Sequence, residues 1–119
     1  MRLWPSLIAL LAVMLLGSQR LRAQEMCPEP MVPTIAALEE CVVHAFTMGH
    51  IDNKGIANSL LAKLEAAQAA LDRAQPEVAI LLLGSFIKEV EAQAGHHIDA
   101  MHAAHMVAHA EMVIAELGG

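Results

Sequence analysis

Five of the seven histidines in this 119-residue chain lie in one stretch, HHIDAMHAAHMVAH, which spans residues 96–109. Imidazole nitrogens bind zinc, copper and nickel, and the charge of a histidine changes near neutral pH. Three interpretations are therefore open for this stretch. It is a metal site, a pH-sensitive site, or the polar flank of an ordinary helix.

The spacing of His102, His105 and His109 places them on one side of a helix, beside an apolar face that contains Met106. His102 and His109 are about 10 Å apart along the helix axis. One zinc ion holds its nitrogen ligands at about 2.1 Å, so it would take His105 with only one of the other two. A third ligand would come from the preceding turn, which offers His96, His97 and Asp99.

The surrounding residues bear on the identity of such an ion. Met101 and Met106 add soft thioether ligands that favour copper, although the position of Met106 predicts a core side chain. The His-Glu-x-x-His motif of zinc proteases does not occur in the sequence. A polar flank and weak binding of copper, nickel or zinc both remain open, whereas a pH sensor would need a two-state element that the sequence does not show.

The N-terminal residues predict an export signal. Arg2 precedes an apolar run from Leu7 to Leu16, which is shorter than the roughly 20 residues needed to span a bilayer but fits a secretory signal peptide. We expect cleavage after Ala23, which would remove residues 1–23; an uncleaved N-terminal anchor is the alternative. The protein would then be secreted or periplasmic, with no membrane span after removal of the signal.

The chain that remains after this cleavage is strongly acidic. Loss of Arg2, Arg20 and Arg22 leaves four of the seven basic residues against thirteen acidic ones, a net charge of −9 with neutral histidines. Such a chain is repelled by polyphosphate, which argues against nucleic acid as a partner. Phe46 and Phe86 are then the only aromatic residues, so stacking on bases is almost unavailable as well.

Cys27 and Cys41 are the two cysteines, and an even count in an exported protein suggests a disulfide bond. Closing a loop of about 15 residues would stabilise the fold by roughly 3 kcal/mol in the chain-entropy model. Two separate thiols are the alternative. A metal site with both cysteines would need a histidine brought close to them, and no Cys-x-x-Cys spacing indicates one.

Apolar residues at three- and four-residue spacing predict four helices. Residues 24–33 hold three prolines and are expected to form an extended lead-in. Short connections between the helices predict an all-α, antiparallel up-and-down four-helix bundle over residues 34–119. The predicted helices cover about residues 34–48, 53–74, 76–94 and 100–117.

The same spacing predicts the core. Ile80 and Leu81 point away from it, either as scattered surface residues or as part of a contact patch for a partner chain. The predicted inner stripes of the four helices contain many alanines. In order of the helices, the stripes consist of Ile35, Leu38, Val42, Ala45 and Phe46; Ile56, Leu60, Leu64, Ala67 and Leu71; Ala79, Leu82, Leu83, Phe86 and Val90; and Ala103, Met106, Ala110, Val113 and Leu117.

Two blocks of sequence, IDNKGIANSLLAKLEAAQAAL at 51–71 and FIKEVEAQAGHHI at 86–98, are followed by an alanine-rich last helix. Together they resemble the FIMAH domain, a small helical module of secreted bacterial and archaeal proteins, over about residues 51–117. The resemblance implies an all-helical accessory module, commonly at the C-terminal end of larger exported hydrolases and surface proteins, without known catalytic residues. This chain looks free-standing and has histidines where the family more often has lysine, polar or alanine residues.

No catalytic constellation accompanies these features. Ser59 lacks the glycine elbow of a nucleophilic serine and an assigned base. We therefore expect an exported, non-enzymatic helical-bundle module for protein interaction or scaffolding, at the cell envelope or outside the cell, with an unidentified protein partner and no cofactor. The alternative is a periplasmic or extracellular protein that binds copper, nickel or zinc through the histidines of residues 96–109.

Overall fold

The computed structural model of the chain describes Cys27 and residues 31–119, which contain four α-helices and no strand. None of these helices is both long and apolar enough to cross a bilayer. The predicted signal peptide, residues 1–23, lies outside the described residues, as does most of the lead-in. The helices are α1 (Ile35–Thr47), α2 (Lys54–Asp72), α3 (Pro76–Gln93) and α4 (Ala100–Glu116).

Each helix packs against two others, so that the four form a closed ring. α1 contacts α2, α2 contacts α3, α3 contacts α4, and α4 returns to α1. Successive helices are joined by short turns, which is the arrangement of an up-and-down bundle. The predicted fold is confirmed, and the predicted helix ends agree with the structure to within two residues.

Side-chain oxygens determine where three of the helices begin. Asn53 Oδ1 accepts a hydrogen bond from the Ile56 N–H at 3.0 Å, and Thr34 and Asp99 cap α1 and α4 in the same way. Each cap satisfies an amide that has no partner within its own helix. α3 begins with Pro76 instead, whose fixed φ suits the first helical position.

The core consists of leucine, valine and alanine around Phe86 and Met106, which are both completely buried. In α2, the small residues Ala57 and Ala70 are buried near the two ends of the helix, with Leu60 and Leu64 buried between them. The larger predicted core residues beside them lie half-buried at the margin. Small buried residues allow neighbouring helices to approach closely, and the larger half-buried side chains beside them cover the line of contact between the helices. The predicted core residues that are only half-buried are Ile56, Leu71, Leu82 and Leu117.

Phe46 is a clear exception to the predicted core, because 39% of it is exposed. At about 100° per residue, Phe46 lies roughly 60° from Val43, which is 49% exposed on the outside of α1. The prediction that Phe46 is a core residue is therefore wrong. Phe46 lies at the edge of the inner stripe, next to the exposed outer residues of α1.

Two loops close one end of the bundle. The loop between α1 and α2 pairs with the loop between α3 and α4 through an isolated antiparallel bridge of Ile51 and Ile98. Both isoleucine side chains are buried and extend the core beyond the helices. Helical spacing does not predict these contacts, because neither residue belongs to a helix. Two further backbone bonds join the loops: the Asp52 N–H donates to the His97 carbonyl at 3.0 Å, and the Asp99 N–H to the His50 carbonyl at 2.9 Å.

A polar contact joins α2 to α3 outside the core. Ser59 Oγ donates to Glu89 Oε2 at 2.8 Å, and Lys63 Nζ lies 3.4 Å from the same carboxylate oxygen. The partial exposure of the charged pair keeps its contribution to stability small. Ser59 thus acts as a connector between two helices.

One glycine within α3 and one just after it allow a matched test of how backbone conformation affects stability. Gly95 ends α3 with a φ of +78°, whereas Gly84 lies within the helix and has open space where a Cβ would stand. We expect Gly95→Ala to lower the free energy of unfolding by about 1–2 kcal/mol because of its left-handed backbone. Gly84→Ala should raise it by about 0.5–1 kcal/mol. Urea unfolding followed by helical circular dichroism measures both, and equal effects of the two substitutions would contradict this assignment.

Candidate functional site

The histidine stripe of α4 faces the seam between α4 and α1. His102 and His109 are only 7% and 2% exposed, and His105 is half-buried. All three contact residues in or next to α1, as described below. The stripe thus lies along the seam between the two helices instead of forming a free polar surface.

His109 anchors the segment that precedes α1. Its Nε2–H donates a hydrogen bond of 2.6 Å to the carbonyl oxygen of Val32. A carbonyl oxygen can only accept, so Nε2 must be the protonated nitrogen. The Nδ1 atom of the same ring is buried and has no hydrogen-bond partner among the described residues. The ring therefore joins two parts of the chain that are 77 residues apart in sequence.

His102 lies at the end of the bundle where the two loops meet. Its ring stacks on His50, with the ring centroids 3.6 Å apart. Its Nδ1–H donates to Asp99 Oδ2 at 2.8 Å. That hydrogen bond is the main cause that lowers the pKa of Asp99, and the backbone N–H of His102 lowers it further. Asp99 is thereby held as a carboxylate that both caps α4 and fixes the orientation of the His102 ring.

The two histidines before α4 point elsewhere. His96 is exposed, and His97 Nδ1 lies 2.7 Å from Asp52 Oδ1 in a pair that is half exposed to solvent. Such exposed pairs contribute about 0–1 kcal/mol to stability. The structure therefore places the five predicted metal-ligand candidates, which are His96, His97, His102, His105 and His109, in different local contacts.

His105 lies beside the predicted disulfide bond. Cys27 and Cys41 are bonded to each other, with Cα atoms 5.1 Å apart, and both residues are buried. A ring nitrogen of His105 and the two sulfur atoms all lie within 4.8 Å of one another. Among the described residues, this is the one group of three or more side chains that is close enough to hold a metal ion.

The sequence predicts the Cys27–Cys41 bond and indicates His105 as a candidate ligand, but it does not predict that His105 lies next to that bond. Cys41 lies on α1 and His105 on α4, far apart in sequence. The order of helices in an up-and-down bundle could have predicted this contact, because the first and last helices of such a bundle are neighbours.

A second candidate surface lies on the outside of α1. We call it the α1 outer face and define it by Ala36, Glu39, Glu40, Val43, Phe46 and Thr47. Val43 and Phe46 are exposed there, three residues apart and therefore adjacent on the helix. Partial burial raises the pKa of Glu39, and repulsion from Glu65 on α2 raises it further. The α1 outer face thus combines an apolar centre with crowded acidic groups.

Of Ile80 and Leu81 on α3, which are both expected to point away from the core, only Leu81 is exposed. Leu81 is 74% exposed and Val78, one turn before it, is 39% exposed. Ile80 is half-buried and lies against the C-terminal end of the chain, close to Gly119. Leu81 is therefore a surface side chain with one apolar neighbour on its own helix.

We predict that His109→Ala lowers the free energy of unfolding by roughly 1–3 kcal/mol, because it removes a buried hydrogen bond and leaves a cavity. Exposed His96 is the control, and His96→Ala should stay within about 0.5 kcal/mol of the unchanged protein. Urea unfolding of both variants measures the difference. A His109→Ala variant as stable as the His96→Ala variant would show that His109 does not secure the seam.

The pKa of Asp99 predicts a pH effect. Because it is lower in the folded chain, the stabilisation from the Asp99 carboxylate is present above the pKa of the unfolded chain, about 3.9, and disappears as the pH falls through the lower folded value. We expect Asp99→Asn, which retains a capping side chain, to be less stable than the unchanged protein near neutral pH. The gap should narrow in acid; a gap that is independent of pH in urea titrations would contradict this.

Comparison with known families agrees with this architecture. The family model of the FIMAH domain matches residues 35–115. This range includes α1 in addition to α2, α3 and α4, which contain the sequence blocks that resemble the family. No significant match is found among curated proteins or among solved structures. The matched range contains nearly all of the four-helix ring. The chain therefore belongs to the FIMAH domain family.

Proposed function

We propose that this chain is a non-catalytic helical module that acts outside the cytoplasm and binds another protein through the α1 outer face. The observation that carries the proposal is the exposure of Phe46 next to Val43. Only one other phenylalanine, Phe86, lies in the described residues, and it is buried in the core. A domain with so few aromatic residues gives up part of the possible burial of one of them by leaving 39% of Phe46 exposed.

Aromatic side chains often supply the anchor of a protein interface, because they bury a large area at a small cost in side-chain entropy. Phe46 and Val43 form such an anchor on one turn of helix. Glu39 and Glu40 lie beside them, and acidic groups at the rim of an interface favour a partner of opposite charge. The partner expected from this chemistry presents an apolar pocket bordered by lysine or arginine.

The crowding of acidic groups strengthens this argument. Glu65 contributes to raising the pKa of Glu39, so these carboxylates repel each other when they are ionised in the unbound chain. A basic side chain placed between them would relieve that repulsion. Binding should therefore weaken as the salt concentration rises, because salt screens attraction between exposed charges.

The contacts of Ser59 support a non-catalytic role. Ser59 lies within α2 and donates to Glu89, while Lys63 shares the same carboxylate oxygen. Backbone amides within a helix are already used in helical hydrogen bonds. They are not available to stabilise an oxyanion, which is usually the largest contribution to acyl-transfer catalysis.

The location outside the cytoplasm is supported by two features. Disulfide bonds such as Cys27–Cys41 persist in oxidising compartments and are rare in the cytosol. The first 23 residues have the pattern of a secretory signal. Together they favour the cell envelope or the extracellular medium as the place where a partner is met.

Site-directed photo-crosslinking tests this proposal. A photoreactive residue replaces Val43 on the α1 outer face in one strain and exposed Lys88 on α3 in another. We expect position 43 to give a discrete crosslinked product from the envelope fraction or the culture supernatant, and position 88 not to give it. The crosslinked peptide of the partner should be apolar and rich in basic residues.

Two substitutions complete the test. Phe46→Ser should remove the product at position 43, because it removes the aromatic anchor. Leu81→Ser, which alters an even more exposed apolar residue on α3, should leave it unchanged. The proposal fails if no specific product forms and the chain remains a monomer, or if positions 43 and 88 capture the same proteins.

A further inference from the structure

We propose that the chain binds one thiophilic metal ion, such as Zn²⁺, through Cys27, Cys41 and His105 when its disulfide bond is reduced. This site is on the inner seam of the bundle and is independent of the α1 outer face. The reduced, metal-bound form and the disulfide-bonded form exclude each other, because both use the same two sulfur atoms.

The positions of the three side chains fit a tetrahedral ion. Zinc holds thiolate sulfur at about 2.3 Å and imidazole nitrogen at about 2.0–2.1 Å, so two ligand atoms of one tetrahedral ion lie about 3.4–3.8 Å apart. The two sulfur atoms and a His105 ring nitrogen already lie within 4.8 Å of one another. After reduction, rotation of the cysteine side chains is enough to separate the sulfurs to this distance. Water would complete the four-coordinate shell.

The charges also fit a buried site. Two thiolates and one neutral imidazole around a divalent ion have no net charge, so burial does not leave an uncompensated charge. Cys27 and Cys41 are 4% and 0% exposed, and His105 is half-buried. Thiolate ligands select zinc and monovalent copper over the hard ions calcium and magnesium.

The other histidines of the stripe have different contacts. His102 is bonded to Asp99 and stacked on His50, and His109 donates to the carbonyl of Val32. Neither belongs to the close group that contains the two cysteines. Of the three histidines, His105 is therefore the one whose position lets it share an ion with the two sulfur atoms.

A dithiol reductant supplies the electrons and protons that convert the disulfide-bonded form into the form that binds metal. The reductant passes two electrons and two protons to the Cys27–Cys41 bond, which becomes two thiols, while the reductant itself becomes a disulfide. Binding of the divalent ion then releases two protons from the thiols. In the reverse direction, an external disulfide oxidises the two thiolates and takes up two protons, and the ion is released.

Cobalt binding tests the proposal, because tetrahedral Co²⁺ is coloured and reports sulfur ligands directly. The purified chain is reduced with a dithiol, which is then removed under argon, and Co²⁺ is added. We expect one equivalent to bind with sulfur-to-cobalt charge-transfer absorption and the visible bands of a tetrahedral ion. Zn²⁺ should displace it. The disulfide-bonded chain should show neither absorption.

Variants identify the nitrogen ligand. His105→Ala should weaken cobalt binding by at least about tenfold, equivalent to about 1.4 kcal/mol, and should alter the visible bands. His96→Ala, which changes an exposed histidine outside the group, should leave affinity and spectrum unchanged. Circular dichroism is recorded before and after addition of the metal. If reduction alone lowers the helical content, recovery on addition of Zn²⁺ supports the site.

Several outcomes would overturn the proposal. One is the absence of cobalt binding by the reduced chain. This holds whether the reduced chain stays helical or loses its helices and does not regain them when metal is added. Another is an unchanged affinity and spectrum in His105→Ala. Equal binding by the disulfide-bonded chain would assign the metal to histidines elsewhere in residues 96–109.

Discussion

The structure depends on how α4 closes the ring of helices against α1, because no loop joins these two helices. Besides the shared apolar core, three contacts along α4 contribute to this closure: the hydrogen bond from His109 to the Val32 carbonyl, the proximity of His105 to the disulfide bond, and the stack of His102 on His50. Each one involves a histidine that a purely apolar bundle would replace with leucine or alanine. The unusual histidine content of the last helix therefore has a structural explanation, since these rings bond to parts of the chain that apolar side chains could only cover.

Much of this fold follows from local patterns in the sequence. Asn53 caps the start of α2, Gly95 follows the end of α3 with a left-handed backbone, and three- and four-residue spacing predicts most of the core. Phe46 was misplaced because spacing alone does not show how far a neighbouring helix reaches around α1. The bridge between Ile51 and Ile98 was missed because the two residues lie outside any periodic segment.

The candidate sites were harder to predict than the fold, and for a physical reason. Disulfide pairing needed only the count and spacing of the cysteines, whereas the approach of His105 to Cys41 depends on which helices are adjacent in space. The exposure of Phe46 depends on the same information. The two proposals thus rest on opposite sides of α1. We propose the outer face for a protein partner, whereas Cys41 on the inner face and Cys27 before the helix supply the sulfur atoms of the proposed metal site.

The central claim is that the histidines of α4 point into the seam while those of the preceding loop point outward. Modification by diethyl pyrocarbonate, followed residue by residue with mass spectrometry, tests it most directly, because the reagent reacts with accessible imidazole nitrogens. The account predicts rapid modification of His96 and His97, and protection of His102 and His109 until the chain is unfolded with denaturant. Similar rates of modification at all four histidines in the folded chain would contradict it.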